Sequence, residues 1–281
     1  MKMKMGKRYK FILGLVFALI LAFNVQVFAQ VPYKTLTQGP NSEIVDTQTA
    51  YEPVQVYKMP TASAEDIHLA DDGSLYIADT GNGRIVITKD GEFVKSVGEG
   101  ILQGPSGVYV SEDQIYVADA LAEKVFIFDA EGNVVKEISK PESPLYGKKS
   151  AFIPKKVTVD QRGNIYVVSE GSTNGLVQLN NKGEFTGYFA SNMTNTSFKM
   201  ILQRTLYGES GKSKLMKNVP PSPTNLAIDS NGLIYTATKG LSSDTVKKFN
   251  VSGKNILSGK IEVASTDVVD IEVDQLSLIH I

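Results

Sequence analysis

An all-β fold built from a repeated four-stranded unit, the plan of a β-propeller blade, is what this 281-residue sequence predicts, on three observations. First, a tyrosine preceded by Ile or Leu recurs at Tyr76, Tyr116, Tyr166 and Tyr235. Second, each sits among short β-branched and aromatic runs bounded by Gly, Asn or Asp, the pattern of strands joined by tight turns. Third, the runs alternate with period two, which excludes a helical solenoid.

The elements follow in order. The first unit reads Ile67-His68-Leu69, the turn Asp72-Gly73, then Leu75-Tyr76-Ile77-Ala78-Asp79. The second reads Val108-Tyr109-Val110 and Ile115-Tyr116-Val117-Ala118-Asp119, and the third Val157-Thr158-Val159, Gly163 and Ile165-Tyr166-Val167. Leu226-Ala227-Ile228, Asn231-Gly232 and Ile234-Tyr235-Thr236 make a fourth, and Ile271-Glu272-Val273-Asp274 opens a fifth. Third strands are expected over 85–88, 125–128, 176–179 and 246–249, each followed by a Gly turn at Gly91, Gly132, Gly183 or Gly253. A fourth strand then follows, as over 92–97 and 133–138. The tyrosine intervals of 40, 50 and 69 residues describe a unit with insertions in its later loops.

The organisation expected is a signal segment over 1–29, an N-terminal extension over 30–60, a partial propeller over 61–275 with an insertion over 191–221, and a foreign tail over 276–281. Lys2, Lys4, Lys7, Arg8 and Lys10 precede an apolar run over 11–23, and Val27-Phe28-Ala29 supplies a small residue at the cleavage position. Cleavage before Gln30 would make the protein extracytoplasmic, and export without cysteine points to a bacterial protein. Residues Leu276-Ser277-Leu278-Ile279-His280-Ile281 are also what CTG TCT CTT ATA CAC ATC encodes, the end of a transposon adapter used in sequencing libraries.

Composition excludes several chemistries. There is no cysteine, hence no disulfide, thiol nucleophile or thiolate metal site, and the two histidines, His68 and His280, are too few for a multi-histidine metal centre. Beyond residue 29 there are 24 basic and 30 acidic residues, which is the wrong balance for a nucleic-acid binder.

The turn Asp79-Thr80-Gly81-Asn82-Gly83-Arg84-Ile85 resembles that of the NHL-repeat family of β-propellers. The resemblance covers 61–274 as a pattern. It is specific in the first unit, thins to Ala118-Asp119 and Lys124-Val125 in the second, and drifts to Ser169 and Thr238 at the Asp79 position later. It implies a six-bladed ring, of which four blades and the first strand of a fifth are present, so about two further repeats are expected. A stretch over 51–58 is expected to be the strand that closes the ring. Asp79, Asn82 and Arg84 are expected to hold the turn, the first two by capping backbone amides and Arg84 by pairing with a carboxylate. Exported members of the family, some with a membrane helix after the propeller, are the closest likeness, so membrane association through a later region is part of the expectation.

Candidate functional residues lie in two places. Aligned on the tyrosines, Asp66, Gly107, Lys156, Asn225 and Asp270 begin the innermost strands, where a propeller has the mouth of its central channel. Asp66, Asn225 and Asp270 could supply oxygen ligands to Ca²⁺ or another divalent cation. Such a set is similar to that of the gluconolactonase-like lactone hydrolases, although Glu65 is out of register with that family's first Glu and Asp66-Ile67 replaces its Gly-Pro. His68, between Ile67 and Leu69, is expected to pack between blades, with a general-base role as the alternative. In the insertion, Phe198, Ile201 and Leu202 fall on one face of a short helix with Lys199 and Arg204 toward solvent, either packed on the rim or facing a partner. The functional expectation is a non-catalytic, cofactor-free module that binds a protein or a cell-surface polymer; the alternative is the metal-dependent hydrolase.

Overall fold

The computed structural model describes residues 36–38, 44–46, 55–147, 150–172, 174–190, 222–241, 244–257, 267–273 and 279–280. The signal segment over 1–29 and the insertion over 191–221, with Phe198, Lys199, Ile201, Leu202 and Arg204, lie outside them. The chain divides into two units, 1–56 and 57–281. In the first, β1 (Leu36–Gln38) and β2 (Ile44–Asp46) form an antiparallel pair.

The second unit is a four-blade β-propeller arrangement. Blade 1 contains β3 (Ala64–Leu69), β4 (Ser74–Asp79), β5 (Arg84–Lys89) and β6 (Glu92–Val97). Blade 2 contains β7 (Pro105–Ser111), β8 (Gln114–Asp119), β9 (Lys124–Phe128) and β10 (Val134–Ile138). Blade 3 follows with β11 (Pro154–Val159), β12 (Ile165–Ser169), β13 (Leu176–Leu179) and β14 (Phe185–Phe189). Blade 4 has β15 (Asn225–Ile228), β16 (Ile234–Ala237) and β17 (Val246–Phe249), and only a single bridge, Phe249 to Asn255, marks its fourth-strand position among the described residues. A further pair, β18 (Glu272–Val273) with β19 (Ile279–His280), follows. Four blades are therefore what is seen among the described residues, the number expected to be present in this sequence. The strand expected over 51–58 is not formed over its described part, 55–58, because extended backbone becomes a strand only where a neighbouring edge accepts its hydrogen bonds.

Register explains why the apolar runs are nearly continuous. Residues directly opposite one another across an antiparallel ladder share a face. In blade 1, Ile67, Ile77 and Val86 share the leading face, whereas Asp66, Ala78 and Ile85 share the trailing one. The trailing face of each blade packs on the leading face of the next. Ala78, Ile85, Ile87 and Val97 of blade 1 meet Val108, Ile115, Val117, Phe126 and Phe128 of blade 2. Blade 2 repeats this against Val157, Ile165, Val167 and Leu179 of blade 3, and Tyr166, Val168 and Leu176 of blade 3 meet Leu226, Ile234 and Phe249 of blade 4. Middle strands are covered on both faces and so lose the polar half of the alternation, and each large side chain buried there contributes about 1.5–3 kcal/mol.

The turn residues serve the same stacking. Asp79, fully buried, accepts from the Ala62 amide at 2.6 Å, from Asn82 Nδ2 at 2.9 Å and from Arg84 Nε at 2.9 Å. Burial pushes this carboxyl up, but the three donors outweigh it and hold it below the usual range. Asn82 thus donates to Asp79 instead of capping an amide, because the Ala62 amide already comes from the incoming segment. Arg84 also reaches Glu99 at 2.8 Å and the Pro60 carbonyl at 2.7 Å. At the same repeat position Asp119 accepts from the Gln103, Gly104 and Ala122 amides at 2.7–2.9 Å, and Ser169 from the Ile153 amide at 2.9 Å. Thr238, equally buried, has a hydroxyl with no partner. The donor that blades 1 and 2 use lies four residues before the mouth position, and in blade 4 that residue is Pro221, which has no N–H.

This contrast sets an expectation for stability. Asp119→Ala, which orphans three amides, should lower the free energy of unfolding by about 2–4 kcal/mol, whereas Thr238→Val should change it by less than about 0.5 kcal/mol or raise it. Urea unfolding of the two variants checks this; equal losses would show that the cap position is not held by these amides.

Candidate functional site

The innermost strands place one residue each at the mouth, and register shows that the positions correspond. Asp66, Gly107, Lys156 and Asn225 pair with Ala78, Ala118, Val168 and Ala237, in each case the penultimate or last residue of the second strand. The four polar candidates sort into two pairs. Lys156 Nζ donates to Asp66 Oδ1, and its contact with the Glu65 carbonyl is 3.3 Å. Asp66 Oδ2 accepts from the Val108 amide at 2.8 Å. Lys156 therefore spans from blade 3 to blade 1, passing the position where blade 2 carries Gly107. A Cβ at Gly107 would lie 2.5 Å from the Lys155 carbonyl oxygen, so no side chain fits between the two strands.

Both partners of this ion pair are largely shielded, with side chains 15% and 14% exposed. Burial raises the Asp66 pKa; Lys156 and the Val108 amide act against that, and the Asp270 charge adds to it. On the other side of the mouth Asn225 Nδ2 donates to Asp270 Oδ1 at 2.5 Å and faces the Val269 carbonyl at 3.4 Å. Asn225 Oδ1 accepts from the Leu226 amide and Asp270 Oδ1 from the Ile271 amide, each at 2.7 Å.

These residues do not fit a divalent cation. The Lys156 ammonium stands against Asp66 where the ion would have to be, and Asn225 directs its nitrogen to Asp270 and its oxygen to backbone. Among the described residues no group of three or more His, Cys, Asp or Glu side chains is gathered as a metal site.

One residue further along the same face lies a second row that the sequence reading did not assign together. His68 and Tyr109 stack with ring centroids 4.7 Å apart at 50°, bridging blades 1 and 2. Burial lowers the His68 pKa to about 4, outweighing the upward influence of Asp71 and the Val110 backbone. Burial raises Tyr109, and the charges of Glu272 and Asp71 add to this. The signal that could have found the row is the period-two step from the mouth, 66 to 68 and 107 to 109. A separate cavity of about 530 Å³ opens at the outer rim between blades 2 and 3, lined by Lys136, Ile138, Pro141, Glu142, Lys182 and Phe185, well apart in sequence from the mouth residues.

Two outcomes follow. A histidine held neutral by the fold makes protons favour the unfolded chain, so its contribution is intact above the ordinary pKa and is lost as pH falls from about 6.5 toward 4. Between about pH 7 and pH 5 the protein should lose about 2 kcal/mol that a His68→Gln variant does not lose, read from urea midpoints; parallel losses would place the titration elsewhere. At the mouth, Lys156→Met should cost about 2 kcal/mol by stranding Asp66, and adding Asp66→Asn should restore most of it.

No protein family matches the chain, and no curated protein matches it. Among solved structures it is similar to streptogramin B lyase, with 14% identity and a TM-score of 0.52 over 88% of this chain and 68% of that one. A catalytically inactive virginiamycin B lyase from Staphylococcus aureus with quinupristin gives 11% identity and a TM-score of 0.52 over 85% and 74%. The WD40 propeller domain of Doa1 gives 11% and 0.53 over 82% and 64%. The chain thus spans about two thirds to three quarters of these structures, and at such identity the likeness establishes the β-propeller fold alone.

Proposed function

We propose that the chain is an exported β-propeller of NHL type, closing to six blades, that works without a cofactor as a binding module for a protein or a cell-surface polymer. The observation that carries this reading is the pairing at the mouth. A catalytic carboxylate or amine needs a free lone pair or proton aimed at a substrate. Here Asp66 is held by Lys156 and Asp270 Oδ1 by Asn225, so each carboxylate at the mouth already has a side-chain partner, which suits a rigid scaffold better than a reaction centre. The Asp79 to Ile85 turn supports the NHL assignment, and the basic-then-apolar run before Gln30 supports export. Binding then falls to the connections between blades, of which the insertion over 191–221, with Phe198, Ile201, Leu202, Lys199 and Arg204, is the longest. Attachment to a membrane through a later region, and no role in nucleic-acid binding, complete the proposal.

The test is retention on purified peptidoglycan and on an immobilised envelope-protein fraction, comparing the protein with a variant whose 191–221 segment is replaced by a short Gly-Ser linker. Loss of retention in a variant that still unfolds cooperatively supports the reading, and unchanged retention overturns the role of the insertion. Calcium at about 1 mM should shift the unfolding temperature by less than about 1 °C; a larger shift abolished by Asn225→Ala would favour the hydrolase.

A further inference from the structure

The junction between blades 2 and 3 differs from the one before it in how the chain leaves the outer strand. After Val97 the connection turns back at once, the Leu102 amide donating to the Gly98 carbonyl at 2.9 Å. After Ile138 it runs on through Ser139 and Pro141 and turns only at Ser143, whose carbonyl accepts from the Tyr146 amide at 3.0 Å. This run walls off a cleft of about 530 Å³ against the 180–185 turn of blade 3, within the range of about 300–1,000 Å³ usual for small-molecule sites. The cleft is held in shape by the fold. Phe185, part of its lining, is fixed edge-on by Tyr146 and Tyr188 with ring centroids 5.3 and 5.2 Å away. Lys136 ties the two sides together by donating to the Lys182 carbonyl, so little has to be ordered when a ligand enters.

The lining decides what fits. Its three lysines, Lys136, Lys140 and Lys182, are matched by three glutamates, Glu137, Glu142 and Glu184, so no net charge draws in an ion. Two of the acids are already engaged: Glu137 accepts from Lys124 at 2.7 Å and Glu184 from Asn180 at 2.8 Å. The side chains of Ser139, Glu142 and Lys182 are exposed and make no hydrogen bond or ion pair among the described residues. They leave a hydroxyl, a carboxylate and an ammonium beside the apolar surface of Pro141 and Phe185. Strand β10 adds a second set of donors and acceptors. It is the outermost strand of blade 2, so alternate N–H and C=O groups along it point away from β9 with no strand beyond them among the described residues. A neutral ligand with one apolar face, a rim of hydroxyls and amide groups of its own meets all three features. A pyranose ring bearing an acetamido group has that constitution: its C–H face lies on an aromatic ring, its hydroxyls bond carboxylate and ammonium, and its amide pairs with a strand edge.

We infer that the cleft between blades 2 and 3 is a subsite for a neutral, acetamido-bearing glycan, with Phe185 as the stacking surface and Ser139, Glu142 and Lys182 as partners of its hydroxyls. The inference rests on the reading of the protein as a polymer-binding module, and it gives that module a contact apart from the insertion over 191–221.

The probe is the β-1,4-linked tetramer of N-acetylglucosamine, titrated into the full chain and followed by calorimetry. Saturable binding with a Kd of about 0.1–1 mM is expected. Phe185→Leu, which keeps apolar bulk against Tyr146 and removes the flat ring, should weaken it about ten-fold. Glu142→Gln and Lys182→Gln should each weaken it about three-fold or more. These two surface variants stand outside the aromatic cluster and read the site even if Phe185→Leu does not fold. No binding at about 10 mM tetramer overturns the inference, as does binding that none of the three variants weakens. Equal binding of cellotetraose, which lacks the acetamido groups, overturns the role given to the β10 edge. A peptide of alternating Val and Thr that binds where the tetramer does not overturns the inference in favour of strand addition to β10. Tetramer binding by a protein retained on neither peptidoglycan nor envelope protein leaves this site standing and removes the proposed function alone, and retention without tetramer binding does the reverse.

Discussion

Everything in the second unit depends on one constraint: a four-stranded blade has two apolar faces and cannot cover either by itself. An isolated sheet of this size would expose both, so each blade is stable only between neighbours, and stability propagates from blade to blade. The glycine turns answer to this requirement. Gly132 and Gly183 let the outer turn of one blade close on Val97 and Ile138 of the one before, and at positive φ they take up a backbone shape that a side chain would strain. Lys95 and Lys136 act in the same contact, donating from an outer strand to the Ala130 and Lys182 carbonyls of the next blade. Gly187 stands at that position in blade 3, so the staple is not repeated there.

The same convergence creates the polar mouth. Blades that pack along their whole width bring their innermost strands together at one end, and whatever side chains begin those strands must then meet each other away from much of the solvent. A charge in that position requires a partner. Lys156 and Asp66 supply each other, and they can do so only because the intervening strand has Gly107. The mouth is thus a consequence of stacking, and its pairing gives it rigidity. The shielding of Asp66 and the stacking of His68 on Tyr109 have the same origin, since both follow from strands pressed together at the centre.

Much of this was legible in the residues. The third strands over 176–179 and 246–249 and the fourth strand over 92–97 coincide with the elements observed, because period-two alternation and Gly turns mark both of their ends. The innermost strands were read too short. Strand β3 begins at Ala64 and not at Ile67, because Ala64 to Asp66 carry no apolar signal yet join the ladder through a bulge. At the mouth, alignment brought the correct residues to one place but not their partners: Lys156 and Asp66 are ninety residues apart, and nothing local in either stretch reports the contact. The fate of Asn82, which donates to Asp79, was hidden for the same reason, since the amide that Asp79 caps belongs to the incoming segment.

The drift at the cap position has a physical reading that bears on where function resides. Asp119 holds three amides, Ser169 holds one and Thr238 none, while the connections they serve lengthen along the chain. A short connection such as 98–104 has few atoms of its own to bury, so a buried carboxylate must fix it. The longer 139–153 connection fixes itself: Tyr146 packs on Phe152, Phe185 and Tyr188 with ring centroids 5.3–6.2 Å apart. Its hydroxyl donates to the Ala151 carbonyl at 2.7 Å, and Tyr188 returns a bond to the Tyr146 carbonyl at 2.8 Å. An aromatic anchor thus shares the work with the one remaining polar cap, the Ser169 hydroxyl on the Ile153 amide. Once a connection carries its own small core, its sequence no longer has to satisfy the strand beneath it, and its outer surface is free to be shaped by something other than folding. The thinning of the cap from Asp119 to Ser169 therefore accompanies a connection whose stability rests on its own packing.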